Sequence, residues 1–264
     1  KNDSGNGDAI VIESNGHFGL VDTMSPGPTS PLAFMNNSLV NNVDNGTKVY
    51  NYLKKIGCTY LDFVIITHNH ADHAGGISEL EELVTSDTIV FYKEDMTTSD
   101  DVEELVGMDN HRVYTQMMEY ITNHNAIARD ISVKSFNNTG NSYISNIILS
   151  DEETDKDKDG EVDSDYNWLR KNYNFQFGDF TINMYNLGLI SYHNENLNSI
   201  VTTVTNRISD KKIALMGDME TGRGDIDYDY VTTASQIIEN PVGICEDCVA
   251  KGLENQLATI IGSV

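Results

Sequence analysis

The sequence has no apolar run approaching the roughly 20 residues that a membrane-spanning helix needs. An integral helical membrane function is thereby excluded. Cysteine is scarce: three residues cannot build a disulfide scaffold, and they leave one thiol over in any pairing, so their number says little about compartment. Positive charge is scarce as well. Seventeen Lys plus Arg face 41 Asp plus Glu, a formal net charge of -24, and a phosphate backbone would be repelled over most of such a surface, which disfavours nucleic acid as a partner. Neither a starting Met nor a signal sequence opens the chain at Lys1, the expectation being a processed, trimmed or partial chain. No internal repeat and no linker divide the sequence. What remains is 264 residues with 39% hydrophobic content, enough for a core without covalent staples, and strands and helices are mixed within a single domain over 1–264.

Asp8 to Ser14 and His17 to Thr23 read as two strands joined by an Asn15-Gly16 hairpin turn. A loop rich in Pro, Ser and Asn follows, and Gly46 to Ile56 forms a short helix ending at Gly57. Tyr60 to Ile66 is a near-continuous apolar run, the pattern of a strand buried on both faces. It leads into a polar loop from Thr67 and then a helix over Ile77 to Leu83. Further strands are expected at Ile89 to Tyr92, Ile131 to Phe136, Tyr143 to Leu149, Ser199 to Thr205 and Lys212 to Met216. A hairpin is expected over Phe175 to Tyr185 and helix over Asp101 to Asn125. The chain after Asp218 reads as mainly helical.

His68, His70, Asp72 and His73 place four potential ligands within six residues, where a buried strand ends and a helix begins. In an extended stretch alternate residues point to one side, so His68 and His70 can share an ion, while Asp72 and His73 turn with the chain toward a neighbouring one. Imidazole with carboxylate suits Zn²⁺, with Mn²⁺ or Fe²⁺ as substitutes; Mg²⁺ and Ca²⁺ are disfavoured by the nitrogens.

These residues match the HxHxDH loop of the metallo-β-lactamase fold superfamily, which the sequence resembles over roughly residues 7 to 220. The opening strands with Val21-Asp22-Thr23, the Asn196-Leu-Asn-Ser-Ile-Val stretch and the Leu215-Met-Gly-Asp218 strand end fall in the family's order. The resemblance implies an α/β fold, the αββα sandwich, with an incomplete C-terminal half. It implies two zinc ions bridged by Asp218, Asp22 bracing the metal loop, and Asp72 as both ligand and catalytic carboxylate. Within the superfamily the opening is most similar to phosphorylcholine esterases of choline-decorated Gram-positive cell walls and to competence-type DNA uptake proteins. The implied function is hydrolysis, by a metal-bound hydroxide, of phosphodiesters such as phosphorylcholine esters of cell-wall or lipid carriers. A small-molecule or cell-wall phosphoester is then the substrate, and the setting is extracellular or cell-surface in a Gram-positive bacterium. An acidic surface and an aromatic cage, for which 13 Tyr and Trp168 leave material, would suit a choline group.

Two family features are missing. His193 is the nearest candidate for the ligand expected before the bridging aspartate, and no histidine follows it. Cys245 and Cys248 stand as a CxxC that could replace the last ligand, pair as a local disulfide or lie on a terminal helix; one such pair alone does not make a zinc site. A second metal signal lies in the inserted acidic segment around 150–166. Asp155, Asp157, Asp159, Gly160, Glu161 and Asp163 follow the start of an EF-type calcium loop, although Tyr166 stands where a bidentate Glu belongs, and a plain solvated loop is the competing reading. The alternatives to a hydrolase of phosphodiesters are a noncatalytic calcium- or metal-binding surface protein with a decayed site, and a competence-type nuclease.

Overall fold

The structure, a computed structural model, describes residues 7–27, 45–95, 105–131, 141–145, 147–151, 171–185, 196 and 199–218. The hairpin forms as expected: β1 (Ile10–Ser14) pairs antiparallel with β2 (His17–Val21), and Ser14 opposite His17 leaves Asn15-Gly16 as the two-residue turn. β2 continues a sheet in the order β1-β2-β3-β4-β5, where β3 (Phe63–Ile65), β4 (Ile89–Tyr92) and β5 (Ile127–Asp130) run parallel. A second sheet is antiparallel throughout. It runs β10 (Lys212–Leu215), β9 (Val201–Asn206), β8 (Phe180–Tyr185), β7 (Lys171–Phe177) and β6 (Ile148–Asp151).

The double burial expected of the β3 run is realised residue by residue. Phe63 and Ile65 face the second sheet, where they meet Tyr173, Phe175, Phe177 and Ile182, while Val64 and Ile66 face a helical layer with Leu53, Leu80, Val113 and Met117. β4 repeats the alternation, with Ile89 and Phe91 on one face and Val90 and Tyr92 on the other. That helical layer comprises α1 (Asn45–Lys55), which ends before Gly57, and α2 (Leu105–Asn123). Helix, sheet and sheet thus stack in the layer order of the expected sandwich.

Three expectations are adjusted. Ile77–Leu83 is 3₁₀ rather than α-helix and is kinked at Glu81 (φ 21°, ψ -92°), with Ile77, Leu80 and Leu83 buried at spacings of three. The strand expected from Ile131 lies just before it as β5, whose residues are all half-buried; Ile131 is buried, and residues 132–136 lie outside the described set. The strand expected over Tyr143 to Leu149 is displaced to β6, with Ile144 forming only an isolated bridge to Phe177. The chain after Asp218 lies outside the described residues.

Candidate metal centre

The parallel strands β2, β3 and β4 all deliver their C-terminal ends to one side of the first sheet. Asp22 follows β2, Thr67 to His73 follow β3, and Lys93 follows β4. From the second sheet, Ser199 precedes β9 and Asp218 follows β10. A backbone hydrogen bond from Ile200 N to the Thr67 carbonyl, 2.8 Å, fastens the two sheets at this point.

Asp22 organises the loop. It is 1% exposed, and its carboxylate accepts from Thr67 N (2.8 Å), Thr67 Oγ1 (2.8 Å) and His73 Nδ1 (2.8 Å). Since the Thr67 hydroxyl gives its proton to Asp22, its oxygen is an acceptor toward His68 Nδ1 at 3.0 Å. His68 therefore carries its proton on Nδ1, and its Nε2 lone pair points to the loop interior, 3.0 Å from His70 Nδ1. The Ser199 hydroxyl also lies 3.3 Å from His68 Nδ1.

Burial keeps His68 neutral, pushing it well below the ordinary imidazole range, with help from the neighbouring His73, His70 and Lys93; a side-chain hydrogen bond with Asn196 acts the other way. Burial also lowers His70. His73 behaves differently. Burial pulls its pKa down, but the hydrogen bond and charge of Asp22, with the charges of Asp218 and Asp72, outweigh this and hold it up at about 9. The proton of the Asp22–His73 pair thus sits on His73 Nδ1, and His73 Nε2 faces Asp218 Oδ1 at 3.3 Å.

Two donor groups result. Ligand atoms of His68, His70 and Asp218 lie within 4.8 Å of one another, and so do those of Asp8, His73 and Asp218. Asp218 belongs to both, the geometry of a shared carboxylate. Gly217 places it there with φ 56°, and a Cβ at that position would come within 3.0 Å of Ser199 Oγ and Thr67. The neutral imidazoles of His68 and His70, converging with carboxylates and with a His73 that Asp22 orients and that would give up its Nε2 proton to an ion, fit a borderline divalent ion such as Zn²⁺.

A family profile described as Metallo-beta-lactamase superfamily matches residues 3–254. The chain belongs to the metallo-beta-lactamase superfamily. Metallo-beta-lactamase proteins are typically metal-dependent hydrolases, and this His/Asp cluster could hold a metal. No curated protein matches the sequence. Among solved structures the fold is similar to human tRNase Z, short form, with 15% identity and a TM-score of 0.36. That likeness covers 83% of this chain and 64% of the neighbour.

The structure brings together His68, His70, His73 and Asp218. Asp72, half-buried, falls in neither group among the described residues, although its charge is felt by His70 and His73. His193, Trp168, Cys245, Cys248 and the calcium-loop residues Asp155, Asp157, Asp159, Glu161 and Asp163 lie outside the described residues. His111 is exposed and bonds Asp95, and His124 Nδ1 donates to the Tyr120 carbonyl, 2.8 Å. Sequence reasoning missed Asp8. Its only signal is a position directly after Gly7 at the entry to β1.

Proposed function

We propose that the chain is a metal-dependent hydrolase of phosphodiesters, with phosphorylcholine esters of cell-wall or lipid carriers as the substrate class. The observation that carries this reading is the shared Asp218 carboxylate between two donor groups, one built on His68 and His70 and the other on His73. Divalent ions held there would supply positive charge to a reacting phosphoryl group and lower the pKa of water toward neutrality.

The chain's own residues prepare the site. Thr67 and Ser199 orient His68, Asp22 orients His73 through Nδ1, and the sheet-end packing keeps His68 and His73 1% exposed. Lys93, 5% exposed at the end of β4, adds a positive charge that His68 senses. A net charge of -24 opposes a long polyanion and favours an ester that carries its own cationic group. An extracellular or cell-surface setting in a Gram-positive bacterium belongs to the same proposal, as does calcium binding at Asp155 to Asp163.

Turnover of p-nitrophenylphosphorylcholine, bis-p-nitrophenyl phosphate, single-stranded DNA and a lactone tests the reading, each with and without chelation and zinc re-addition. Metal-dependent turnover favouring the choline ester is expected. Undiminished activity in a folded, fully metal-stripped chain would refute the mechanism, and preference for DNA or the lactone would refute the substrate.

A further inference from the structure

The second donor group has one histidine, and the sequence offers no histidine after His193 to add to it. It does have a carboxylate from a distant part of the chain. We propose that Asp8 is a metal ligand, completing with His73 and Asp218 a carboxylate-rich second ion position. Asp8's role rests on the same metal-centre reading of the cluster.

Its placement is built into the fold. Asp8's carbonyl accepts from Met24 N at 2.9 Å, and Met24's carbonyl accepts from Gly76 N at 2.8 Å. One residue earlier, Thr23 N and Thr23 Oγ1 both donate to the His73 carbonyl, at 2.7 and 2.8 Å. The strand entry that carries Asp8 is therefore tied to the segment that holds His73. Gly7 closes the approach. With φ 98° it lies so near the metal loop that a Cβ there would come 1.7 Å from the Asp72 carbonyl oxygen. A side chain at position 7 would push Asp8 away from the site.

Asp8 is exposed while His73 is buried, so the carboxylate approaches from the solvent side toward a nitrogen that the protein holds fixed. Donor atoms around a tetrahedral zinc stand roughly 3.4 Å apart, given bonds of about 2.1 Å. A group already within 4.8 Å needs only a small contraction to reach that spacing. The two positions then differ in chemistry. His68, His70 and Asp218 present two nitrogens, whereas Asp8, His73 and Asp218 present one nitrogen and two carboxylates, a harder set in which Mn²⁺ can replace Zn²⁺.

Metal counting on the full chain tests this. Wild type, Asp8→Asn, Asp8→Ala, Asp8→Glu and His68→Ala would be stripped, equilibrated with ZnCl₂ or MnCl₂, and titrated, with melting of the metal-free chains as the folding control. Wild type is expected to hold two equivalents. Asp8→Asn and Asp8→Ala should weaken one of them at least about tenfold, no less than the loss of an outer-shell partner, while the other stays; Asp8→Glu should keep part of the affinity. His68→Ala should weaken the opposite equivalent. If the Asp8 variants bind both ions as wild type does, the assignment of Asp8 is overturned and the metal centre stands. A folded wild type that holds no stoichiometric ion overturns both.

Discussion

Asp22 does more than any other residue among those described, because one buried carboxylate orients two histidines. It accepts a hydrogen bond from His73 Nδ1–H directly and reaches His68 through the Thr67 hydroxyl, leaving both Nε2 atoms directed inward. Its φ of 58° is left-handed, a conformation that Asp tolerates better than most residues. Removing it strands His73 and two donors of Thr67 in a dry environment. Asp22→Ala should cost about 3–5 kcal/mol in urea unfolding of the metal-free chain, and zinc affinity should fall at least about tenfold. Equal stability of the two chains would show that the network is not formed. A second residue-scale prediction concerns Cys58, whose Sγ bonds the Tyr60 carbonyl at 3.2 Å. Burial pushes the thiol up to about 11 from 9.0, so the fold prefers the neutral form. That preference contributes stability below pH 9 and is lost as pH rises through about 11. Alkylation of Cys58 at pH 9, followed by peptide mass analysis, should be at least about tenfold slower in the native chain than in urea.

At the scale of elements, β3 is the piece on which the layers meet, and Phe63 is its largest fully buried side chain. That ring sits edge-on against Phe175 (centroid distance 5.3 Å) and Phe177 (5.0 Å), and it fills the space over Gly19 of β2. A Cβ on Gly19 would come 2.1 Å from the ring. Gly19→Ala should therefore destabilise the chain by about 1–3 kcal/mol through overpacking, and Phe63→Leu should recover part of that loss in the double variant. Additive losses in chemical denaturation would show that the two positions do not share this space. This strand was legible in the sequence because both faces are buried, which leaves an uninterrupted apolar run. β5 was not, since Arg129 and Asp130 break its pattern and its residues are only half-buried. The 3₁₀ segment reads as helix because Ile77, Leu80 and Leu83 satisfy either period. The HxHxDH ligands declared themselves through local spacing, whereas Asp8 meets His73 only after the first sheet has formed, a contact that no local pattern encodes.

For the whole molecule, the candidate centre is where the two sheets are joined. The first sheet supplies His68, His70 and His73, and Asp218 reaches them from the end of β10 in the second. An ion bound to both sides cross-links the layers, so metal binding is also a stability term. At a free zinc concentration about 100 times the dissociation constant, binding only to the folded chain adds about 2.7 kcal/mol. For a domain of this size that corresponds to a rise in melting temperature of about 5–10 °C. Asp218→Asn should abolish most of this rise. The substitution removes a carboxylate common to both donor groups, so two cations there would repel each other with less negative charge between them. Asp218's side chain is 41% exposed, so the metal-free variant should melt close to the metal-free wild type. Scanning calorimetry of both chains, stripped and zinc-loaded, separates the two effects. If Asp218→Asn keeps the full zinc-induced rise and both equivalents, the cross-link does not pass through this carboxylate, and the pairing of β10's end with the metal loop has been misassigned.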